Sequence, residues 1–88
     1  MPEINQYVVI VTEIIDRISV VYGQDIAILK AYNVSELVIN DQGKITNIKG
    51  EPVAAIQKLI NEYVELSGVI VKNILKPILD KYPGVIKS

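Results

Sequence analysis

Apolar residues recur three and four positions apart over two long stretches of this chain, and that spacing constrains its fold more than any other feature. In the first stretch Ile4, Val8, Val11, Ile15, Ile18 and Tyr22 follow one another at intervals of four and three. That rhythm places them on one face of a helix. Tyr7, Ile14 and Val21 flank the face, while Gln6, Glu13, Asp16 and Arg17 fall opposite it. Taken alone, Tyr7–Val11 has the β-branched and aromatic character of a strand. The rhythm runs well past the length of a strand, so a helix is expected from about Glu3. Gly23 interrupts it, and Ile26, Leu29 and Tyr32 resume it. A glycine inside a helix costs about 1 kcal/mol against alanine. Residues 3–32 therefore read either as one helix with a weak point at Gly23 or as two helices bent there. Asn33-Val34-Ser35 is the exit.

The second stretch is longer. Val53, Ile56, Ile60, Tyr63, Ser67, Ile70 and Ile74 keep the same spacing, and Val64, Val71, Leu75 and Ile78 widen the stripe to half the helix surface. Lys58, Glu62, Glu65, Lys72, Lys76 and Asp80 make the polar side. Pro52 suits a first helical turn, where its missing N–H is no loss, and Glu51 suits the positive end of the helix dipole. One long helix over residues 52–82 is expected, kinked or locally broken by Pro77 near Asn73 because proline cannot donate to the preceding turn. Pro83-Gly84 ends it and leaves residues 83–88 as a short tail.

Between the helical stretches lies a hairpin signal over residues 37–49. Leu37-Val38-Ile39 and Lys44–Ile48 bracket Asp41-Gln42-Gly43. A short loop of this kind suits a type I turn closed by a residue at positive φ, a conformation Gly43 adopts without a Cβ penalty. A lone hairpin is marginal in water, so it must lie on the helices or pair with a second copy. The expected fold class is α+β, predominantly helical, as one domain over residues 1–88 in the order helix, hairpin, helix.

A chain of 88 residues, half of them apolar and with a mean hydropathy of +0.33, has a thin core of its own. Apolar residues on more than one helix face are more than such a core covers. A homo-oligomer is expected, most simply a helical-bundle homodimer with twofold symmetry. The candidate interface residues are Ile56, Ile60, Tyr63, Ile70 and Ile74 on the long helix, together with Ser67 and Gly68. Ser67-Gly68 interrupts the large residues near the helix centre. Small side chains there let a second backbone come nearer than the usual axial separation of about 8–10 Å.

The chemistry available is narrow. There is no Cys and no His, so disulfides, thiolate metal ligands, the commonest general base and the pH switch near neutrality are all missing. No catalytic residue, cofactor or metal site is expected, and the chain reads as a non-enzyme. Its net charge of −1 and pI near 5.3 argue against nucleic acid as a partner. Lys72, Lys76, Lys81 and Lys87 read better as cations completing a helix C-terminus. Charged residues cut every apolar run short of a membrane span, and Met1-Pro2-Glu3 offers no basic region of a signal peptide. Cytoplasm is the expected compartment. The Ile-rich, Cys-free composition fits a thermophile, as it fits biased codon usage.

Several local patterns resemble sites. Glu62 and Glu65 stand three apart, but carboxylate sites in bundles add His and point inward. Asn40-Asp41-Gln42-Gly43 is oxygen-rich, yet lacks the alternating acids and terminal Glu of a calcium loop, and turn chemistry explains it. At Gly50-Glu51-Pro52 a helix begins, but Glu51 repels the anion that a helix N-terminus attracts. Ser19, Ser35, Ser67 and Ser88 have no His to activate them. Tyr22 and Tyr63 lie on the apolar stripes, which suits core or interface tyrosines with a wet hydroxyl. The expected function is a self-associating interaction or regulatory module. The alternative is a sensor of small ligands with an apolar pocket between helices, lined by Tyr and Ile. Nucleic-acid binding through the C-terminal lysines is a weaker third reading.

Overall fold

The computed structural model of the chain describes residues 6–82. The helix start near Glu3, the stripe residue Ile4, and the tail over residues 83–88 with Pro83, Gly84 and Lys87 lie outside the described residues. Four helices and one hairpin follow in order: α1 (Gln6–Tyr22), α2 (Gln24–Tyr32), β1 (Leu37–Ile39), β2 (Ile45–Ile48), α3 (Pro52–Val64) and α4 (Gly68–Lys81).

The first stretch is helical, as its spacing requires. It buries Ile10, Val11, Ile14, Ile15 and Ile18, so the core-facing stripe is turned towards Ile10 and Ile14. Tyr7, Val8 and Tyr22 are half-buried against it. Gly23 separates α1 from α2 at φ +95°, and its carbonyl accepts the first bond of α2 from the Ala27 N–H at 3.1 Å. The chain is therefore two helices bent at Gly23.

The hairpin forms at the expected place. Asn40 O accepts the Gly43 N–H and Asn40 N–H donates to Lys44 O, both at 2.9 Å. The Asn40 side-chain oxygen also accepts the backbone N–H groups of Gln42 and Lys44, an Asx turn that prepays none of the strand ladder but fixes the loop. Gly43 sits at φ +78°. Leu37 pairs with Ile48, Val38 with Asn47 and Ile39 with Ile45, so Thr46 is an extra residue on β2. That bulge explains why Ile45 and Ile48, three apart, both face the core, where strict alternation would turn one of them outward.

The long C-terminal helix is corrected. α3 ends at Val64 and α4 begins at Gly68. Ser67 is the N-cap of α4, with extended backbone, and its hydroxyl accepts the Ile70 N–H at 3.4 Å. The Leu66 N–H closes the end of α3 on Tyr63 O at 2.9 Å. A capping hydroxyl and a poor helix former side by side stop one helix and start another. Of the kink or local break expected near Asn73, the break does not occur: α4 runs through Pro77 to Lys81. Pro77 and Asn73 are both exposed, which leaves the carbonyl that proline cannot serve open to water.

α1 is the hub. It packs against α2, α3, α4 and β2. The core gathers α1 residues with Ala27, Ala31 and Val34, the hairpin residues Leu37, Ile45 and Ile48, and Ile56, Leu59 and Leu75 from the last two helices. No charged or polar side chain is buried among the described residues. The molecule measures 39 × 30 × 19 Å. Its short dimension is about two helix diameters, so the elements form two layers and each helix keeps an outer side.

Candidate functional site

α2 differs from the other helices in what it turns outward. Ala27 and Ala31, four apart, are fully buried, and they let α2 lie close on its neighbours. On the far side Ile26, Leu29 and Tyr32 follow at steps of three. Their exposures are 39, 63 and 58%. A helix apolar on both sides belongs in an interior, yet only one side of α2 is covered. Other exposed apolar residues lie on α1 and α4. Val20 and Val21, at 83 and 53% exposure, close α1 just before the bend. Further exposed apolar residues stand at the start of α4. There Val69 and Ile70 stand 74 and 48% exposed.

Polar contacts fix α2 on its other flank. Lys30 reaches Glu65 at 3.0 Å and Glu62 at 4.0 Å, and the Asn33 amide donates to Glu62 at 2.9 Å. Glu62 and Glu65, weighed above as a metal pair, thus hold α2 to α3. Below them the Tyr63 hydroxyl donates to the Ala27 carbonyl at 2.7 Å in the core. Burial pushes that phenol well above its ordinary pKa. No group of three or more acidic residues within metal-binding reach exists among the described residues.

The sequence-derived interface candidates scatter. Ile56, Ile60 and Tyr63 lie in the chain's own core. Ser67 and Gly68 form the junction of α3 and α4, not the middle of a helix. A Cβ built on Gly68 meets only the Val64 side chain, at an ordinary 3.7 Å, so no close helix crossing occurs there within the chain. Ile74 is half-buried against the core. Ile70 alone stands on the exposed apolar surface. The residues that sequence reasoning missed are Ile26, Leu29 and Tyr32 as an outward face. The signal was present in Ala27 and Ala31: where small and large apolar residues occupy opposite sides of a short helix, the small side suits close packing.

A second feature is a cleft of about 430 Å³ between α1, the start of α2 and the hairpin turn. Ile15, Ile28 and Ile45 contribute apolar walls, and Asp16, Gln24 and Lys44 stand at its polar margin. It opens to solvent and contains no tyrosine, unlike the pocket expected from sequence. No helix among the described residues is long and apolar enough to cross a membrane. Comparison of the chain with protein-family models, with curated proteins and with solved structures returns no match.

Proposed function

We propose that this chain is a non-enzymatic module whose work is done by association with a second copy of itself. The observation that carries the reading is the outward apolar side of α2, where Ile26, Leu29 and Tyr32 stand exposed. Scattered exposed apolar residues are ordinary, whereas a run of them on one helix side marks an interaction surface. Among the described residues the serine hydroxyls have structural partners, Ser35 donating to Glu36. Ser19 donates to the Ile15 carbonyl and Ser67 caps α4. Sedimentation or light scattering from below 1 to several hundred micromolar is the test (concentrations spanning the range of ordinary dimers). The mass is expected to climb to twice that of the chain. A monomer mass throughout would remove the reading.

The cleft beside the hairpin favours a second reading, a sensor of small ligands. Its volume falls within the range of ligand sites, roughly 300–1,000 Å³. A fragment screen by NMR tests it. Shifts confined to Ile28, Gly43 and Ile45 would carry this reading, and a cleft silent to every fragment would remove it.

A further inference from the structure

We propose that the cleft beside the hairpin binds a small aliphatic amino acid as its zwitterion, with the ammonium on α1, the carboxylate at Lys44 and the side chain against the isoleucines. The inference rests on the second reading above, that of a ligand sensor, and names its ligand. Three observations carry it.

The first is a row of acceptors on α1. Thr12, Asp16 and Ser19 stand four and three apart, so they share one side of the helix, and all three line the cleft. The Thr12 hydroxyl donates to the Val8 carbonyl and the Ser19 hydroxyl to the Ile15 carbonyl, each at 2.8 Å. Their protons are spent on their own helix, so both oxygens are left to accept. Ionised Asp16 also only accepts, and it has no ion pair or side-chain hydrogen bond among the described residues. A carboxylate flanked by two accepting hydroxyls suits a cation with three N–H donors, which is a primary ammonium. A metal ion suits it less, since it takes more oxygens than this row offers and has no use for apolar walls.

The second is the hairpin side. Lys44 lines the same cleft and is exposed, again without a partner among the described residues. The backbone N–H groups of the turn are occupied: Gln42 and Lys44 donate to the Asn40 side-chain oxygen, and Gly43 to the Asn40 carbonyl. The turn therefore offers no nest of free amides for a phosphate. Its cation is the single Lys44 ammonium, which matches one carboxylate. Asp16 and Lys44 do not pair with each other, so the cleft holds opposite charges with a gap between them that a zwitterion spans.

The third is the apolar wall and the size. Ile15 and Ile45 are almost wholly buried and show the cleft only an edge. Ile28 lies so close over the turn that a Cβ on Gly43 would stand 2.5 Å from its Cδ1. These three branched side chains suit a branched aliphatic one. The volume of about 430 Å³ is at the small end of ligand sites, which run from about 300 to 1,000 Å³, and that fits an amino acid better than a nucleotide.

The test titrates three compounds into the isotope-labelled chain at neutral pH and follows its amide NMR signals. They are L-leucine, isocaproate (which lacks the ammonium) and isoamylamine (which lacks the carboxylate). Leucine is expected to shift Ile15, Ile28 and Ile45 saturably and to bind about tenfold or more tighter than either truncated compound. Asp16→Asn should weaken leucine about tenfold and leave isocaproate unaffected, whereas Lys44→Gln should weaken leucine and leave isoamylamine unaffected. Both residues are exposed, and should either variant fail to fold, the three compounds on the unaltered chain still decide. Truncated compounds that bind as well as leucine overturn the inference, as does leucine binding that survives both substitutions. If other fragments shift these residues and leucine does not, the sensor reading stands and this ligand is wrong. If nothing shifts them, both fall.

Discussion

Two tyrosine hydroxyls in this molecule have opposite prospects. The Tyr63 hydroxyl donates to Ala27 O in the core, whereas the Tyr22 hydroxyl is buried with no hydrogen-bond partner among the described residues. Tyr63→Phe should therefore cost about 1 kcal/mol, the net worth of a typical buried hydrogen bond. Tyr22→Phe removes no protein hydrogen bond and should leave stability unchanged or slightly raised. Urea midpoints compare the two, and a larger loss at Tyr22 than at Tyr63 would contradict this assignment. Tyr63 also sets a pH dependence. Its folded-state pKa is raised by burial, while a phenol in the unfolded chain ionises near 10. Above that pH the folded state binds the extra proton, so stability falls as pH rises beyond about 10, and Tyr63→Phe should flatten that fall. Gly43 meets a double constraint. Its φ is +78°, and a Cβ there would stand 2.5 Å from Ile28 Cδ1. Gly43→Ala should cost about 1–2 kcal/mol. Adding Ile28→Val, which removes the clashing methyl, should recover the contact part and leave the backbone strain. The positive φ was legible from Asp-Gln-Gly between two apolar runs. The approach of Ile28 was not, because it depends on how α2 folds back over the hairpin.

Among the elements, the junction of α3 and α4 shows why periodicity alone misled. Ser67, Ile70 and Ile74 keep the spacing set by Ile56, Ile60 and Tyr63, so the stripe runs unbroken through a break in the backbone. Both helices bury a side in one core, and the pattern reports burial without reporting continuity. The local signal was a Ser followed by Gly, a cap and a weak helix former, which reads equally as a helix start and as a close packing site. The two explanations differ for substitution. At the first residue of α4, where a Cβ would make only an ordinary 3.7 Å contact with Val64, Gly68→Ala should stabilise by several tenths of a kcal/mol. Ser67→Ala should cost about 1 kcal/mol through the lost cap. Thermal melts of both variants check the pair, and a destabilised Gly68→Ala would restore the packing explanation. α4 is tied to α1 at its far end. Lys81 Nζ and the Tyr82 hydroxyl both donate to Glu13, at 3.0 and 3.1 Å. The Lys81 hydrogen bond, aided by Tyr82, holds the Glu13 carboxyl below its usual range. Its contribution is present above the unfolded pKa and is lost as pH falls through the folded one. Glu13→Gln should cost less than about 1 kcal/mol near neutrality, since solvent screens the pair, and the gap from the unaltered chain should close in acid. The helical content and the hairpin were legible in the sequence, and Gly23 offered the α1–α2 bend as one of two readings; the sidedness of α2 was obscured because both of its sides are apolar.

At the scale of the whole molecule, a two-layer slab with a radius of gyration of 12.1 Å is as compact as a chain of this length becomes, at about 12 Å. Among the described residues the outer side of α2 stays exposed. On the self-association proposed above, linkage ties stability to concentration. If the folded dimer unfolds to two separate chains, each tenfold rise in protein concentration stabilises the dimer by about 1.4 kcal/mol, or about 0.7 kcal/mol per chain. For a domain of this size that corresponds to a Tm rise of about 3–5 °C per tenfold. The slope should hold where the dimer dominates and vanish where the chain is already monomeric before it melts. Leu29→Glu should abolish the slope while changing the Tm little at the lowest concentrations, because Leu29 supports no contact that a single copy needs. A solvent-exposed substitution away from the face, such as Lys49→Gln, should keep the full slope. Calorimetry over two decades of concentration measures all three chains. A Tm independent of concentration in a chain that light scattering finds dimeric would mean that the copies dissociate before they unfold, and that each folds without the other's help.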